Sequence, residues 1–126
     1  MPVDQRVIQE QVAAHTQRNA VLVDNIRSKG GDLERKRAID VLFHTRAEDK
    51  AISLSRFLKL EGFCELSITR SDGASDYPWT VQGYVTRSVS DFTAPVRVEW
   101  LVGVAAGFGV IYDGWGTALD ESPPTI

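Results

Sequence analysis

The amino-acid sequence predicts an α+β fold in which two helices cover one face of a four-stranded antiparallel sheet. Three observations indicate this fold. Four short apolar segments, most of them alternating with polar residues, are typical of strands with one buried face. Two further segments place apolar residues at helical spacing. These segments follow the order strand, helix, strand, strand, helix, strand, and one longer helical segment precedes them all.

The first segment predicts a helix over about 3–28. Its apolar seam advances in alternating steps of four and three residues. The seam consists of Ile8, Val12, His15, Asn19, Leu22 and Ile26, and Val7, Ala14 and Val21 widen it. Because His15 and Asn19 are polar, the seam is expected either at the edge of the domain or against a partner, where polar groups fix the register.

A basic stretch separates this helix from the core, which is predicted over about 38–117. Five of its eleven residues from Arg27 to Arg37 are basic and two are glycines, so it predicts a solvated linker. AIDVLFHT then alternates and predicts the first strand. Thr45 and Glu48 have the spacing of a capping box, so the next helix is expected to begin there and to end at Gly62.

The second half of the core alternates in the same way. FCELSITR predicts a strand with Cys64 on its apolar, buried face, SDGASDYP predicts a turn, and WTVQGYVTR predicts the third strand. Pro95 suits the first turn of the last helix, which Gly107 and Gly109 are expected to close. VIY predicts a short last strand. The tail over 118–126 has two prolines and no pattern, and it is expected to fray.

Taken together, these elements predict one domain over 1–126, a ferredoxin-like βαββαβ sandwich with an extra N-terminal helix. The residues are 43% apolar, the net charge is -3 and the isoelectric point is about 5.3. These totals are typical of a globular protein and argue against direct binding of nucleic acid. MPVDQRVIQEQVAAH has no apolar block, so neither a signal peptide nor a membrane anchor is expected, and the predicted location is cytoplasmic.

The sequence offers little chemistry for catalysis. Cys64 is the only cysteine, no residues have zinc-ligand spacing, and no glycine-rich phosphate loop follows a strand. We therefore expect no catalytic residue, no metal and no cofactor, and predict that the protein is not an enzyme. The opposite interpretation requires titratable groups that converge around His44 and Asp113.

The motif YDGWGT near the C-terminus permits three interpretations. The Asp-Gly pair predicts a turn from which Trp115 folds back to seal the core, with Thr117 bonded to a loose backbone group. Alternatively, the aromatic residues form a surface for a partner, because tryptophan and tyrosine dominate the energetics of interfaces. A small-ligand pocket beside the turn is the third interpretation. The candidate partner-binding residues are Tyr112, Asp113, Gly114, Trp115, Gly116 and Thr117.

A resemblance covers most of the chain. VIYDGWGT, after a helix that ends in AAGFG, resembles the C-terminal signature of the regulator of ribonuclease activity B family. The stretch from RNAVLVDNIRSKGG to RFLKLEGF has the same order of helix, glycine break, strand and helix, so that the resemblance spans Arg18 to Thr117. It implies a ferredoxin-like sandwich and a non-catalytic inhibitor that binds the non-catalytic part of ribonuclease E and so alters RNA turnover.

One departure bears on the partner. Family members with this role carry a long acidic tail, whereas LDESPPTI has two acidic residues. A second hypothesis is therefore a family member with another role, either as a small-ligand module or as a homo-oligomer that self-associates through the N-terminal seam at Leu22 and Ile26.

Overall fold

The computed structural model describes residues 5–73 and 75–117. The predicted frayed tail over 118–126 lies outside the described residues. The elements in chain order are α1 (Gln5–Ser28), β1 (Lys36–Thr45), α2 (Glu48–Leu60), β2 (Cys64–Arg70), β3 (Trp79–Ser88), α3 (Val89–Phe92), α4 (Pro95–Phe108) and β4 (Ile111–Gly116). The four strands form one antiparallel sheet in the order β2-β3-β1-β4. The prediction of an α+β fold with a four-stranded antiparallel sheet is therefore confirmed.

The core lies between the helices and one face of this sheet. Alternation along the two central strands supplies its floor, because every second side chain of β1 and β3 points to the same side. The fully buried hydrophobic side chains of the floor and of the helices above it include Ile39, Val41, Phe43, Val81, Leu54, Leu58 and Leu101. On the opposite face of β1 and β3 the side chains are exposed or half-buried.

Helix α1 lies at the edge of the helical layer, beside α4 and β4. Within it only His15, Asn19 and Ile26 are buried. The predicted broadening of the seam is wrong, because Val7 and Val21 are exposed. A helix that packs at an edge contacts its neighbours along one narrow stripe, and residues beside that stripe stay in solvent.

The predicted capping box at the start of α2 is wrong. Ala47 occupies the N-cap position, and no side chain caps the helix. Thr45 is fully buried at the end of β1 and donates its hydroxyl hydrogen bond to the carbonyl of Ala47. The helix end was predicted correctly, since Gly62 adopts a φ of 96° and the amide of Phe63 bonds back to the carbonyl of Leu58.

Cys64 is exposed, and its predicted burial is wrong. The reason is a bulge in β2: Cys64 pairs with Tyr84 but Ser67 pairs with Gln82, so three residues of β2 span two of β3. Glu65, with a φ of 50°, is the strained residue of this bulge. An extra residue reverses the alternation, which moves Cys64 to the face opposite the core.

The basic stretch is mostly exposed, as predicted, but it is not only a linker, because its first two residues end α1. Its last two residues begin β1, and the amide of Ser90 in α3 donates to the carbonyl of Leu33. Helix α3 was not predicted, and Ser88 caps it by accepting a hydrogen bond from the amide of Asp91. The short helix fills the corner between β3 and α4.

Helix α4 follows its prediction at the start and departs from it at the end. Pro95 occupies the first turn, and Gly109 is the left-handed cap with a φ of 69°. Gly107, which was expected to close the helix, lies within it. None of the helices in residues 5–73 and 75–117 combines the length and apolar character that a membrane span requires.

Two glycines should respond oppositely to alanine. A Cβ at Gly83 would lie 2.6 Å from Leu66 Cδ2 and 3.2 Å from the carbonyl oxygen of Cys64, whereas a Cβ at Gly103 in α4 meets nothing within 4 Å. We expect Gly83→Ala to lower the free energy of unfolding by about 1–3 kcal/mol, because overpacking forces the bulge to shift. The matched control, Gly103→Ala, should raise it by about 1 kcal/mol through helix propensity. Urea denaturation measures both, and equal effects would contradict this account of β2.

Candidate functional site

The motif YDGWGT is an edge strand and not a turn. Residues Ile111–Gly116 form β4, which extends well beyond the predicted VIY. Phe43 of β1 pairs with Tyr112 and Leu42 pairs with Gly114, so Asp113 is an extra residue in a β-bulge. Gly114 has a φ of 132°, which only glycine adopts without strain. The Asp-Gly pair therefore does mark irregular backbone, but the irregularity is a bulge within a strand and not a turn.

Because of the bulge, the two aromatic residues of the motif point to the same side of the sheet. Tyr112 and Trp115 are opposite Phe43 and Val41, whose side chains are in the core. The ring of Tyr112 is 6% exposed and lies between Phe43, at a centroid distance of 5.2 Å, and His15 of α1, at 4.6 Å. The ring of Tyr112 thus lies between the sheet and α1.

Trp115 joins three elements. Its ring is half-buried and meets Phe92 of α3 edge to face at 5.8 Å. Its indole Nε1 donates a hydrogen bond of 2.7 Å to Oδ1 of Asn19 in α1. The two polar residues of the predicted seam, His15 and Asn19, are therefore the residues that contact the aromatic side chains of the motif.

Arg18 completes the contact between α1 and the motif. Its Nη2 donates to the carbonyl oxygen of Asp113 at 2.8 Å, so it binds the bulged residue through the backbone. The same nitrogen lies 3.1 Å from where a Cβ would stand on Gly114. One turn of α1 thus presents His15, Arg18 and Asn19 to consecutive parts of β4.

Burial shifts the pKa values of both rings in this contact. Desolvation lowers the pKa of His15, and the nearby positive charge of Arg18 lowers it further, against smaller opposing effects of the Tyr112 backbone and of Asp113. Desolvation raises the pKa of Tyr112 well above its usual range. The neutral forms of both rings are therefore favoured where α1 meets β4.

On the opposite face of the sheet the motif takes part in a polar line across three strands. Asp113 Oδ2 lies 3.1 Å from Nε2 of His44, and Nδ1 of His44 lies 3.1 Å from the hydroxyl oxygen of Thr80. His44 and Asp113, around which the enzyme interpretation requires titratable groups to converge, thus contact each other. Neither the cavity beside Tyr112 nor the polar cavity beside Arg87 is lined by His44 or Thr80. As it stands, the line ties β4, β1 and β3 together.

The last two residues of the motif are at the surface. Gly116 is exposed, and a Cβ there would meet nothing within 4 Å. Thr117 donates its hydroxyl hydrogen bond to the carbonyl of Ala38 at 2.7 Å, which confirms the prediction that it bonds to a backbone group. Among residues 5–73 and 75–117, no group of three or more His, Cys, Asp or Glu is placed to hold a metal ion.

A cavity of about 290 Å³ lies between α1 and α4, beside Tyr112. Its walls are mostly aliphatic, and His15, Gln11 and Tyr112 supply the polar atoms. The lining residues are Val7, Ile8, Gln11, His15, Val102, Ala105, Ala106, Val110, Ile111 and Tyr112. The third interpretation of the motif, a pocket beside it, thus has a location, on the face of β4 that α1 covers.

Residues 16–117 match the family described as regulator of ribonuclease activity B, RraB. The chain belongs to the RraB family. The match begins within α1 and ends at Thr117, directly after the motif, and so confirms the resemblance inferred from VIYDGWGT. The family description gives the function as regulation of ribonuclease activity. No curated protein sequence matches this chain significantly.

Sequence reasoning found the motif of this RraB-family protein but missed two of its partners. Asn19 and His15 were conspicuous as polar residues on an apolar seam. Arg18 is one more charged residue on a polar helix face, and Thr80 is one of two threonines in β3. No local pattern indicates either residue, because Arg18 bonds to a residue 95 positions away and Thr80 to one 36 positions away.

The bond between Trp115 and Asn19 can be tested by a double-mutant cycle. Trp115→Phe and Asn19→Ala each remove one partner, and we expect a coupling of about 1 kcal/mol in the free energy of unfolding, the usual net value of such a bond. Thr16→Ala is the matched control, because its hydroxyl bonds only to the carbonyl of Val12 in its own helix. A coupling near zero in the Asn19 cycle, or an equal one with Thr16, would contradict the contact.

The lowered pKa of His15 predicts a pH-dependent stability. The folded RraB-family protein holds the ring neutral, so the unfolded chain takes up a proton first as the pH falls through the ordinary value of 6.5. The contribution of His15 is therefore complete above that value and is lost as the pH falls toward the lowered pKa. Urea denaturation at about pH 7.5 and about pH 5.5 should show a smaller loss of stability for His15→Gln than for the unchanged protein. An equal or larger loss in the variant would contradict the sign.

Proposed function

We propose that this protein is a non-catalytic regulator that binds ribonuclease E and thereby changes RNA turnover. The observation that supports this proposal is the family match over 16–117, which includes every strand and the whole YDGWGT motif. We also propose that the partner segment belongs to the non-catalytic part of the nuclease, as the family resemblance implies. The proposed location is the cytoplasm, where ribonuclease E would be met.

We also propose that the fold is a ferredoxin-like sandwich. The strand order β2-β3-β1-β4, with α2 between β1 and β2 and α4 between β3 and β4, is the order expected of a ferredoxin-like sandwich. We propose that 1–126 form one such domain, with α1 as the extra helix. The helices then occupy one face of the sheet, which leaves the other face for a partner.

The proposed contact surface is this helix-free face at its β4 side. Tyr112 and Trp115 point toward the helices, whereas Asp113 and Gly116 belong to the other face. Gly114 is buried beside Arg18 of α1. Because the two glycines carry no side chain, they leave the neighbouring β1 residues Asp40 and Leu42 accessible. Such a shallow strip of backbone with one apolar residue suits an extended peptide.

Charge on this strip favours a basic partner segment. Asp40 is exposed, and the side chain of Asp113 is 51% exposed. Both carboxylates flank the glycines of β4, and the chain as a whole carries a net charge of -3. Like the acidic tail of other family members, these groups would attract lysine and arginine side chains at long range. In this proposal Tyr112, Gly114, Trp115 and Thr117 hold the strip in shape, and the exposed residues Asp113 and Gly116 touch the partner.

The strip can be blocked without disturbing the fold. The space around Gly116 is open and its φ is not in the left-handed region, so Gly116→Gln should leave the free energy of unfolding nearly unchanged. Binding of the purified non-catalytic part of ribonuclease E, measured by calorimetry, should weaken by about tenfold, equivalent to about 1.4 kcal/mol. Gly103→Gln, on the outer side of α4, is the matched control and should bind normally.

The outcomes separate the partner from the surface. If the unchanged protein does not bind that part of the nuclease, the proposed partner is wrong. If it binds and Gly116→Gln binds equally well, the partner stands and the strip is wrong. Asp40→Asn adds a further readout, since loss of one charge should flatten the dependence of affinity on salt concentration.

Self-association through α1 remains a prediction. Leu22 is 37% exposed, which leaves part of its side chain for another copy, but Ile26 is buried in its own chain. A charged residue at Ile26 would destabilise the monomer, so Leu22→Lys is the informative substitution. Sedimentation of the two proteins would identify an oligomer that depends on this residue.

A further inference from the structure

The cavity between α1 and α4 has the characteristics of a binding site for a small molecule. Its volume of about 290 Å³ is just below the range for ligand pockets, about 300–1,000 Å³. An engineered apolar cavity of about 150 Å³ already binds benzene. A bicyclic aromatic molecule therefore fits the cavity of this protein.

The walls indicate an apolar ligand. Seven of the ten lining residues are aliphatic, from both helices and from the start of β4. The cavity has an open side, since Val7 is 47% and Ile111 is 42% exposed. A ligand can therefore enter between these two side chains without unfolding α1, and its burial removes apolar wall from water.

His15 gives the cavity one specific polar feature. Burial and Arg18 keep its ring neutral, and a neutral imidazole has one nitrogen that donates and one that accepts. The ring packs against Tyr112 at a centroid distance of 4.6 Å and lines the cavity. The acceptor nitrogen of the neutral ring favours a ligand with a hydrogen-bond donor, and Gln11 and Tyr112 line the same space.

The residues on the α1 side of the cavity, its roof, lie outside the family match, whereas those on the opposite side, its floor, lie within it. The roof consists of Val7, Ile8, Gln11 and His15, which precede the first residue of the family match. The floor, from α4 and β4, lies within the match. The cavity is therefore built only in part from residues that the family match covers.

We infer that this cavity binds a small, uncharged, bicyclic aromatic molecule that donates one hydrogen bond to His15. Indole and 2-naphthol are suitable probes, because each combines such a body with a single donor. Their methylated derivatives, 1-methylindole and 2-methoxynaphthalene, keep the shape and lack the donor. Loss of one hydrogen bond should weaken binding by about fivefold.

The test uses the full chain in two measurements. The midpoint temperature of thermal unfolding should rise with the concentration of indole or 2-naphthol, because both bind only the folded protein. In nuclear magnetic resonance spectra, the amide signals of Val102, Ala106 and Ile111 should shift with the same concentration dependence. Each methylated derivative should bind about fivefold less tightly.

Two variants locate the ligand and its donor. Ala106→Leu places a larger side chain in the cavity and should abolish these effects, whereas Ala20→Leu, the same change at an exposed position of α1, should not. His15→Phe keeps an aromatic ring against Tyr112 but has no acceptor. It should still bind the probes, but it should no longer distinguish indole from 1-methylindole.

Three results would overturn the inference. The first is the absence of any shift with both donors. The second is equal affinity for each donor and its methylated derivative in the unchanged protein. The third is a dimer, detected by sedimentation and lost in Ala106→Leu, which would show that a second copy of the chain occupies the cavity. None of these results bears on ribonuclease E, whose proposed surface is on the other face of the sheet.

Discussion

The hydrogen bond from the Trp115 indole to the Asn19 amide oxygen determines how α1 joins the rest of the molecule. Over 24 residues this helix buries only three side chains, so apolar burial alone stabilises its docking weakly. Polar contacts to β4 supplement that burial, and each requires a defined geometry. The orientation of α1 therefore follows from the shape of β4, and the shape of β4 follows from its bulge.

Both edge strands of the sheet carry such a bulge. In β2 the extra residue lies between Cys64 and Ser67, and in β4 it is Asp113. Unpaired strand edges invite association with other chains, and bulges disrupt the regular ladder that such association needs. In β4 the same feature has a second consequence, because it directs Tyr112 and Trp115 to one face. One irregularity thus protects the edge and also builds the contact with α1.

Local patterns in the sequence predicted the regular part of this fold. Alternation located β1 and β3, and the apolar spacing of α2 and α4 with their glycine ends gave the helices, because these signals depend on neighbours a few residues apart. Two of the failures lie at the bulges. One inserted residue reversed the exposure of Cys64, and the same kind of insertion made the Asp113-Gly114 pair resemble a turn. The pairing register with a neighbouring strand determines where a bulge forms, and that register cannot be predicted from the local sequence.

The contacts of the candidate site also join distant parts of the chain, but polar residues on an apolar seam indicated some of them. His15 and Asn19 were anomalous on an apolar seam, and each proved to contact the motif, so an unexplained polar residue was a true signal. A buried polar group needs a partner, and the tryptophan of an otherwise glycine-rich motif was the donor that the sequence offered. The pairing joins positions 96 residues apart. Matching buried hydrogen-bond donors with acceptors elsewhere in the chain is thus a way to propose long-range contacts that periodicity does not predict. Here such a match explains why the YDGWGT motif and α1 depend on each other.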